Sequence, residues 1–229
     1  MALDPRTQTL PGERAGGGLS ADAVRVLRNT YALLGMTLAF SAVTAYVSTA
    51  MGINLHGLGL LPILAIFFGL SFLVHKTADS GWGLVSVFLF TGFLGVMIAP
   101  LLSRVIGLNN GGSLVAAAFA TTAAAFVAMS AFTLMTRKDF GFLSGFIVVG
   151  IVVAIVAMIA NYYFLHLPFV TLAISAGIAL LGCAAILWQT SAIVHGGERN
   201  YIRATTTLFV SFYNIFSFLL QMFGLMGDD

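Results

Sequence analysis

The sequence predicts an all-α integral membrane protein built as a seven-transmembrane-helix bundle. Three observations carry this reading. Of the 229 residues, 59% are hydrophobic and 8% are charged, whereas soluble domains need about a quarter of their residues charged to cover their surface. Seven apolar stretches are present, and a helix needs about 20 such residues to cross the hydrocarbon core. The runs are continuous rather than alternating, which favours helices over a membrane barrel.

In chain order, residues 1–24 form a polar, Gly-rich segment with Asp4, Arg6, Glu13, Arg14 and Gly16 to Gly18. It lacks the apolar stretch of a cleavable signal peptide and is expected to be a disordered cytosolic tail. Residues 25–229 form the membrane domain, with spans expected near 26–50, 58–75, 82–102, 113–136, 140–164, 169–190 and 205–225. The second span is the shortest and contains Pro62 and Gly69. The fourth, through Ala116 to Ala125, is made of small residues on most of its faces, and the fifth opens on Gly141 and Gly145 in the small-xxx-small spacing that lets helices approach closely. The sixth carries the lone cysteine, Cys183. The seventh contains no charge but a polar stripe: Ser211, Asn214, Ser217 and Gln221 step by three, three and four and share one helical face.

Loop charge sets the expected orientation. Arg6, Arg14, Arg25 and Arg28 precede the first span, Lys76 follows the second, Arg137 and Lys138 the fourth, and Arg199 and Arg203 the sixth. Of the ten basic residues only Arg104 falls in the other set of loops. The positive-inside rule then puts the N-terminus in the cytoplasm and the C-terminus in the periplasm.

Several functions are disfavoured. A net charge of +2, with no basic run interleaved with aromatics, gives nothing for nucleic acid to bind. No charged residue sits in the middle of a span, which argues against a pump or voltage sensor. The histidines form no His-Glu-x-x-His helix, and His195 with Glu198 would supply two ligands where a zinc site needs more. No nucleophile–base pair is recognisable. The chain is therefore not expected to be an enzyme or to hold a cofactor.

Two features remain. The loop His195, Gly196, Gly197, Glu198, Arg199, Asn200 and Tyr201 separates the last two spans. Its glycines stop the sixth helix, and Glu198 suits the start of the seventh, where the helix dipole favours a carboxylate; that leaves Asn200 and Tyr201 without a role. The stripe from Ser211 to Gln221 reads either as interhelical hydrogen bonding, each bond giving roughly 0.6 kcal/mol, or as the wall of a polar cavity or gate shared with Gln189.

With these residues in view, the chain resembles the Bax-inhibitor family of small seven-span membrane proteins. The resemblance covers the membrane domain and is strongest in residues 27–34 (LRNTYALL), 91–95 (TGFLG), 136–143 (TRKDFGFL), 195–205 (HGGERNYIRAT) and 210–216 (VSFYNIF). It is closest to the bacterial inner-membrane members that modulate the FtsH protease. It implies a multi-pass inner-membrane protein that is both substrate and modulator of FtsH, engaged by its N-terminal tail, with the Sec translocon among the membrane proteins whose turnover it affects. The wider family also implies an alternative, a calcium leak pathway closed by an aspartate on each of the last two spans. By motif those positions fall at Gln189 and Ser211, which cannot share a proton, so the implied leak has no pH switch. The family's basic partner maps loosely to His75 and Lys76.

Overall fold

A computed structural model describes residues 19–226. Seven helices are long and apolar enough to cross a membrane. They are α1 (Ala21–Ala50), α2 (Leu60–Thr77), α3 (Gly83–Ile106), α4 (Gly111–Thr136), α5 (Leu143–Ala160), α6 (Pro168–Val194) and α7 (Tyr201–Met226).

The boundaries differ from the sequence expectation where caps intervene. The expected tail lies outside the described residues up to position 18, but residues 21–24 are the first turn of α1 rather than tail. Ser20 caps that turn, its Oγ accepting from Ala23 N at 3.2 Å, with Asp22 beside the positive helix end. Residues 140–142, expected in the fifth span, precede α5. At the other end α5 passes into a π-helical turn, Asn161–Leu165. Tyr201, expected in the loop, opens α7 a turn earlier than the apolar run suggests. Pro62 falls in the first turn of α2, where a missing N–H costs no helical bond.

The core lies around α3 and α7. Phe90, Val87, Leu94, Leu208, Phe209, Phe212 and Ile215 pack with Leu33 and Leu34 of α1, Phe126 of α4 and Ile186 of α6. Helices α2 and α5 are peripheral: Val74 and Ile147 are the buried residues they contribute. Phe67 and Leu70 of α2 pack against the core from its edge, while side chains such as Phe68, Phe72, Val148 and Val152 are exposed, as lipid contact requires.

Close helix approach replaces hydrophobic driving force in lipid, and α1 and α3 show it most clearly. A Cβ at Gly95 would lie 2.1 Å from Thr44 Oγ1 and 2.4 Å from Ser41 O. The seam is reinforced by Thr44 Oγ1 donating to Gly92 O at 3.2 Å.

Among the described residues, the arginines and lysines other than Arg104 fall at one end of the bundle, termed here the basic end. There the ends of α2, α4 and α6 and the starts of α1, α3, α5 and α7 meet.

Candidate functional site

The loop between α6 and α7 is the most densely hydrogen-bonded part of the basic end. His195 ends α6 and Gly196 adopts a left-handed φ of 75°. Gly197 N and Glu198 N then both reach back to Ala192 O, at 2.8 and 3.1 Å. This is the glycine-terminated helix end foreseen from the sequence.

Asn200 then performs two tasks. Its Oδ1 accepts from Ile202 N at 2.8 Å and Arg203 N at 3.2 Å, capping the first turn of α7. Its Nδ2 donates to Ala78 O at 2.9 Å and Asp79 Oδ1 at 2.8 Å, across the loop between α2 and α3. Arg203, in the first turn of α7, pairs with the other oxygen, Asp79 Oδ2, at 2.5 Å. Glu198 Oε1 accepts from Asn200 N at 2.8 Å and fixes the entry. Sequence reasoning left Asn200 without a role; the structure makes it the joint between two loops. Asp79 was missed altogether. Its one legible signal is its sign, an acid among the basic loops, opposite Arg203. Asp79, Gly196, Gly197, Glu198, Arg199, Asn200, Tyr201 and Arg203 line a shallow pocket of about 480 Å³ that opens on this end.

Beside it, Ser191 locks the loop after α4. Its Oγ donates to Lys138 O at 3.2 Å and accepts from Phe140 N at 3.0 Å. His195 Nδ1 lies 2.9 Å from Ser191 O. The α6 end, the α4–α5 loop and the α2–α3 loop thus form one braced surface.

Deeper in the bundle lies a layer of buried polar groups. Leu27, Ile193 and Ala204 form a small cluster with Leu134 against it. One turn further from the basic end on α1, α4 and α6 stand Tyr31, Ser130 and Gln189. Tyr31 Oη, Ser130 Oγ, Gln189 Nε2 and the neighbouring Thr190 Oγ1 and Thr30 Oγ1 are all buried without a hydrogen-bond partner. Gln189 is 2% exposed. An unmet buried donor or acceptor costs about 1–3 kcal/mol, so such a cluster is a place for internal water. Composition gave no sign of Tyr31, Thr30 or Ser130, because each sits in an otherwise ordinary apolar helix.

The remaining sequence-selected residues separate. Ser211 is buried, but its Oγ donates back to Thr207 O at 2.8 Å within its own helix, and its carbonyl faces Gly182, where a Cβ would lie 3.0 Å away. Ser211 and Gln189 share no hydrogen bond. Ser217 Oγ is buried and unpartnered, and Asn214 is half-buried. Gln221 belongs elsewhere: ten residues along α7 from Ser211, about 15 Å, its Oε1 accepts from Ser175 Oγ at 3.3 Å and it lines a cavity of about 990 Å³ at the end opposite the basic loops. Of the expected gate residues Gln189, Ser211, Asn214, Ser217 and Gln221, only Gln221 is among the residues lining that cavity. The stripe from Ser211 to Gln221 spans about half of a hydrocarbon core about 30 Å thick, from the middle of α7 to the end opposite the basic loops. His75 and Lys76 are exposed, with His75 Nδ1 2.9 Å from Ser71 O of its own helix.

Comparison with known proteins gives a consistent picture. The profile of the Bax1-I family, described as inhibitor of apoptosis-promoting Bax1, matches residues 23–228. An uncharacterized protein of Pseudomonas aeruginosa is 52% identical over 204 residues, 89% of this chain and 90% of that protein. The modulator of FtsH protease YccA of Escherichia coli K12 is 49% identical over 205 residues, 90% of this chain and 92% of its own length. The matching protein of a uropathogenic E. coli strain, CFT073, carries the name inner membrane protein YccA.

Proposed function

The chain belongs to the Bax1-I family, and from that premise we propose that it is an inner-membrane modulator of the FtsH protease. The observation that carries this is the 49% identity across 90% of the chain to a protein named for that role. The protein acts by binding rather than by catalysis. Its N-terminus lies in the cytoplasm, in line with the basic residues gathered at one end. The braced surface around Asp79, Asn200 and Arg203 then faces the compartment in which a membrane-anchored ATP-dependent protease works. A rigid, charged, concave surface suits a protease subunit better than a lipid face does. The tail before Ser20 is the segment the protease grips, so the chain is also a substrate. The Sec translocon is among the membrane proteins whose turnover it slows.

The test is capture of the tagged full chain from a mild detergent extract, with FtsH identified in the eluate. FtsH enriched over an unrelated seven-helix membrane protein supports the proposal; equal recovery from both rejects it. A second experiment addresses the tail. Trimming residues 2–18 leaves the Ser20 cap intact and should lengthen the protein's lifetime in cells with active FtsH. An unchanged lifetime would count against the tail as the handle.

A second reading, an ion leak, is favoured by one observation: the unpartnered polar layer of Tyr31, Ser130, Gln189 and Thr190. With Gln189 and Ser211 in place of carboxylates, flux through it would not depend on pH between 6 and 8. Calcium-dye liposomes carrying the protein should then leak faster than empty ones at every pH. Equal flux removes this reading.

A further inference from the structure

The cavity at the end opposite the basic loops collects the positive features of that end. It has a volume of about 990 Å³ and is lined by Arg104, His166, Tyr162, Tyr163 and Gln221 above an apolar floor that includes Leu172 and Val105. Arg104 is the one arginine or lysine of that end, is exposed, and has no ion pair among the described residues. Among the described residues no Asp or Glu lines the cavity. The first turn of α6 also borders it, through Leu167, Pro168 and Thr171, and no side chain caps that turn. Pro168 has no N–H and Leu167 N is bound to Asn161, so Phe169 N and Val170 N, with the helix dipole, add the partial positive charge.

The rim is built, not incidental. Asn161 is 7% exposed; its Oδ1 accepts from Leu167 N at 3.1 Å and its Nδ2 donates to Thr171 Oγ1 at 2.8 Å. This one side chain fixes the π-helical turn to the start of α6. It holds His166 in a left-handed conformation, φ 54°, that non-glycine residues rarely adopt. The turn carries Tyr162, Tyr163, Phe164 and Leu165, followed by Leu167 and Phe169, and all six are 45–80% exposed. Such a belt of aromatics marks headgroup depth.

We propose that this cavity binds the headgroup of an anionic phospholipid, its phosphodiester held by Arg104 and the uncapped start of α6 while an acyl chain lies against the apolar floor. A guanidinium recognises phosphate oxygens in a way no neutral residue can. The surrounding aromatic belt sets the occupant as a lipid already at that depth rather than a solute from bulk water.

Native mass spectrometry of the full chain in a non-ionic detergent, titrated with phosphatidylglycerol or phosphatidylcholine, tests this. One tight site for phosphatidylglycerol is expected, weakened about tenfold in Arg104→Gln, a loss of roughly 1.4 kcal/mol. Arg104→Lys should recover part of it, Arg104→Glu should abolish it, and Arg199→Gln at the basic end should leave it unchanged. Because Arg104 is exposed and unpaired, the melting temperatures of these variants should match the parent. Equal phosphatidylglycerol affinity in the parent and both Arg104→Gln and Arg104→Glu overturns the proposal. So does equal affinity for phosphatidylcholine. Displacement of the lipid by millimolar inorganic phosphate would show a free-anion site and overturn the lipid assignment.

Discussion

Replacing Asn200 with Ala removes four hydrogen bonds at once, and their geometry allows the cost to be worked out. Loss of the cap on Ile202 N and Arg203 N costs about 1 kcal/mol, within a range of roughly 0.5–2. Loss of the donor to Ala78 O adds about 1 kcal/mol, because Ala78 is buried and its carbonyl loses a partner. The bond to Asp79 contributes less, about 0.5 kcal/mol, because the Asp79 side chain is 70% exposed and solvent screens it. The sum is about 2–3 kcal/mol, or a fall of roughly 4–12 °C in melting temperature on the scaling of domains of this size. Thermal unfolding of the detergent-solubilised protein measures it. Asn200→Ser keeps a capping oxygen and loses the donors to the other loop, so it should recover about 1 kcal/mol of that loss. A melting temperature for Asn200→Ala within a degree of the parent would refute the assignment of Asn200 as a joint. So would Asn200→Ser proving as damaging as Asn200→Ala, since the cap would then contribute nothing.

Other consequences follow from single contacts. Gly95→Ala should destabilise the protein by about 1–3 kcal/mol or more through overpacking; Thr44→Ala should not rescue it, because Ser41 O would still stand 2.4 Å from the new Cβ. Ser191→Ala should cost about 1 kcal/mol and free the α4–α5 loop, seen as faster tryptic cutting after Arg137 or Lys138 with unchanged helix content by circular dichroism. Gln189→Leu removes an unpartnered buried amide at similar volume, so it should be neutral or raise the melting temperature, while Gln189→Ala should lower it by opening a cavity.

The fold was legible because the membrane imposes it. Continuous apolar runs and alternating basic loops each report a constraint that lipid leaves no way around. Close helix approach was expected at Gly141 and Gly145, but a Cβ at Gly145 would meet nothing within 4 Å and the tight contact is at Gly92 and Gly95. Helix ends were less legible because capping side chains, not hydropathy, set them: Ser20 starts α1 inside a polar segment, and Asn200 starts α7 before its apolar run. The candidate site was legible in part. The glycine stop at Gly196 was readable from local chemistry. The partnership of Asn200 with Asp79 joins residues 121 positions apart, and no local pattern encodes it. The same holds for the polar layer, where Tyr31, Ser130 and Gln189 reach one depth from three helices. The stripe from Ser211 to Gln221 shows what a local pattern does and does not carry. Its periodicity is real, but periodicity fixes a face, not a depth, and Ser211 turned its hydroxyl back into its own helix.

The central claim, modulation of FtsH, is tested most directly by the lifetime of another membrane protein that FtsH degrades. Pulse–chase measurement of such a substrate in cells with the chain overproduced, at native level and deleted should show its half-life lengthening with the amount of chain present, and only while FtsH is active. A half-life identical in all three strains, in cells where the chain and FtsH are both present at measured levels, would contradict it.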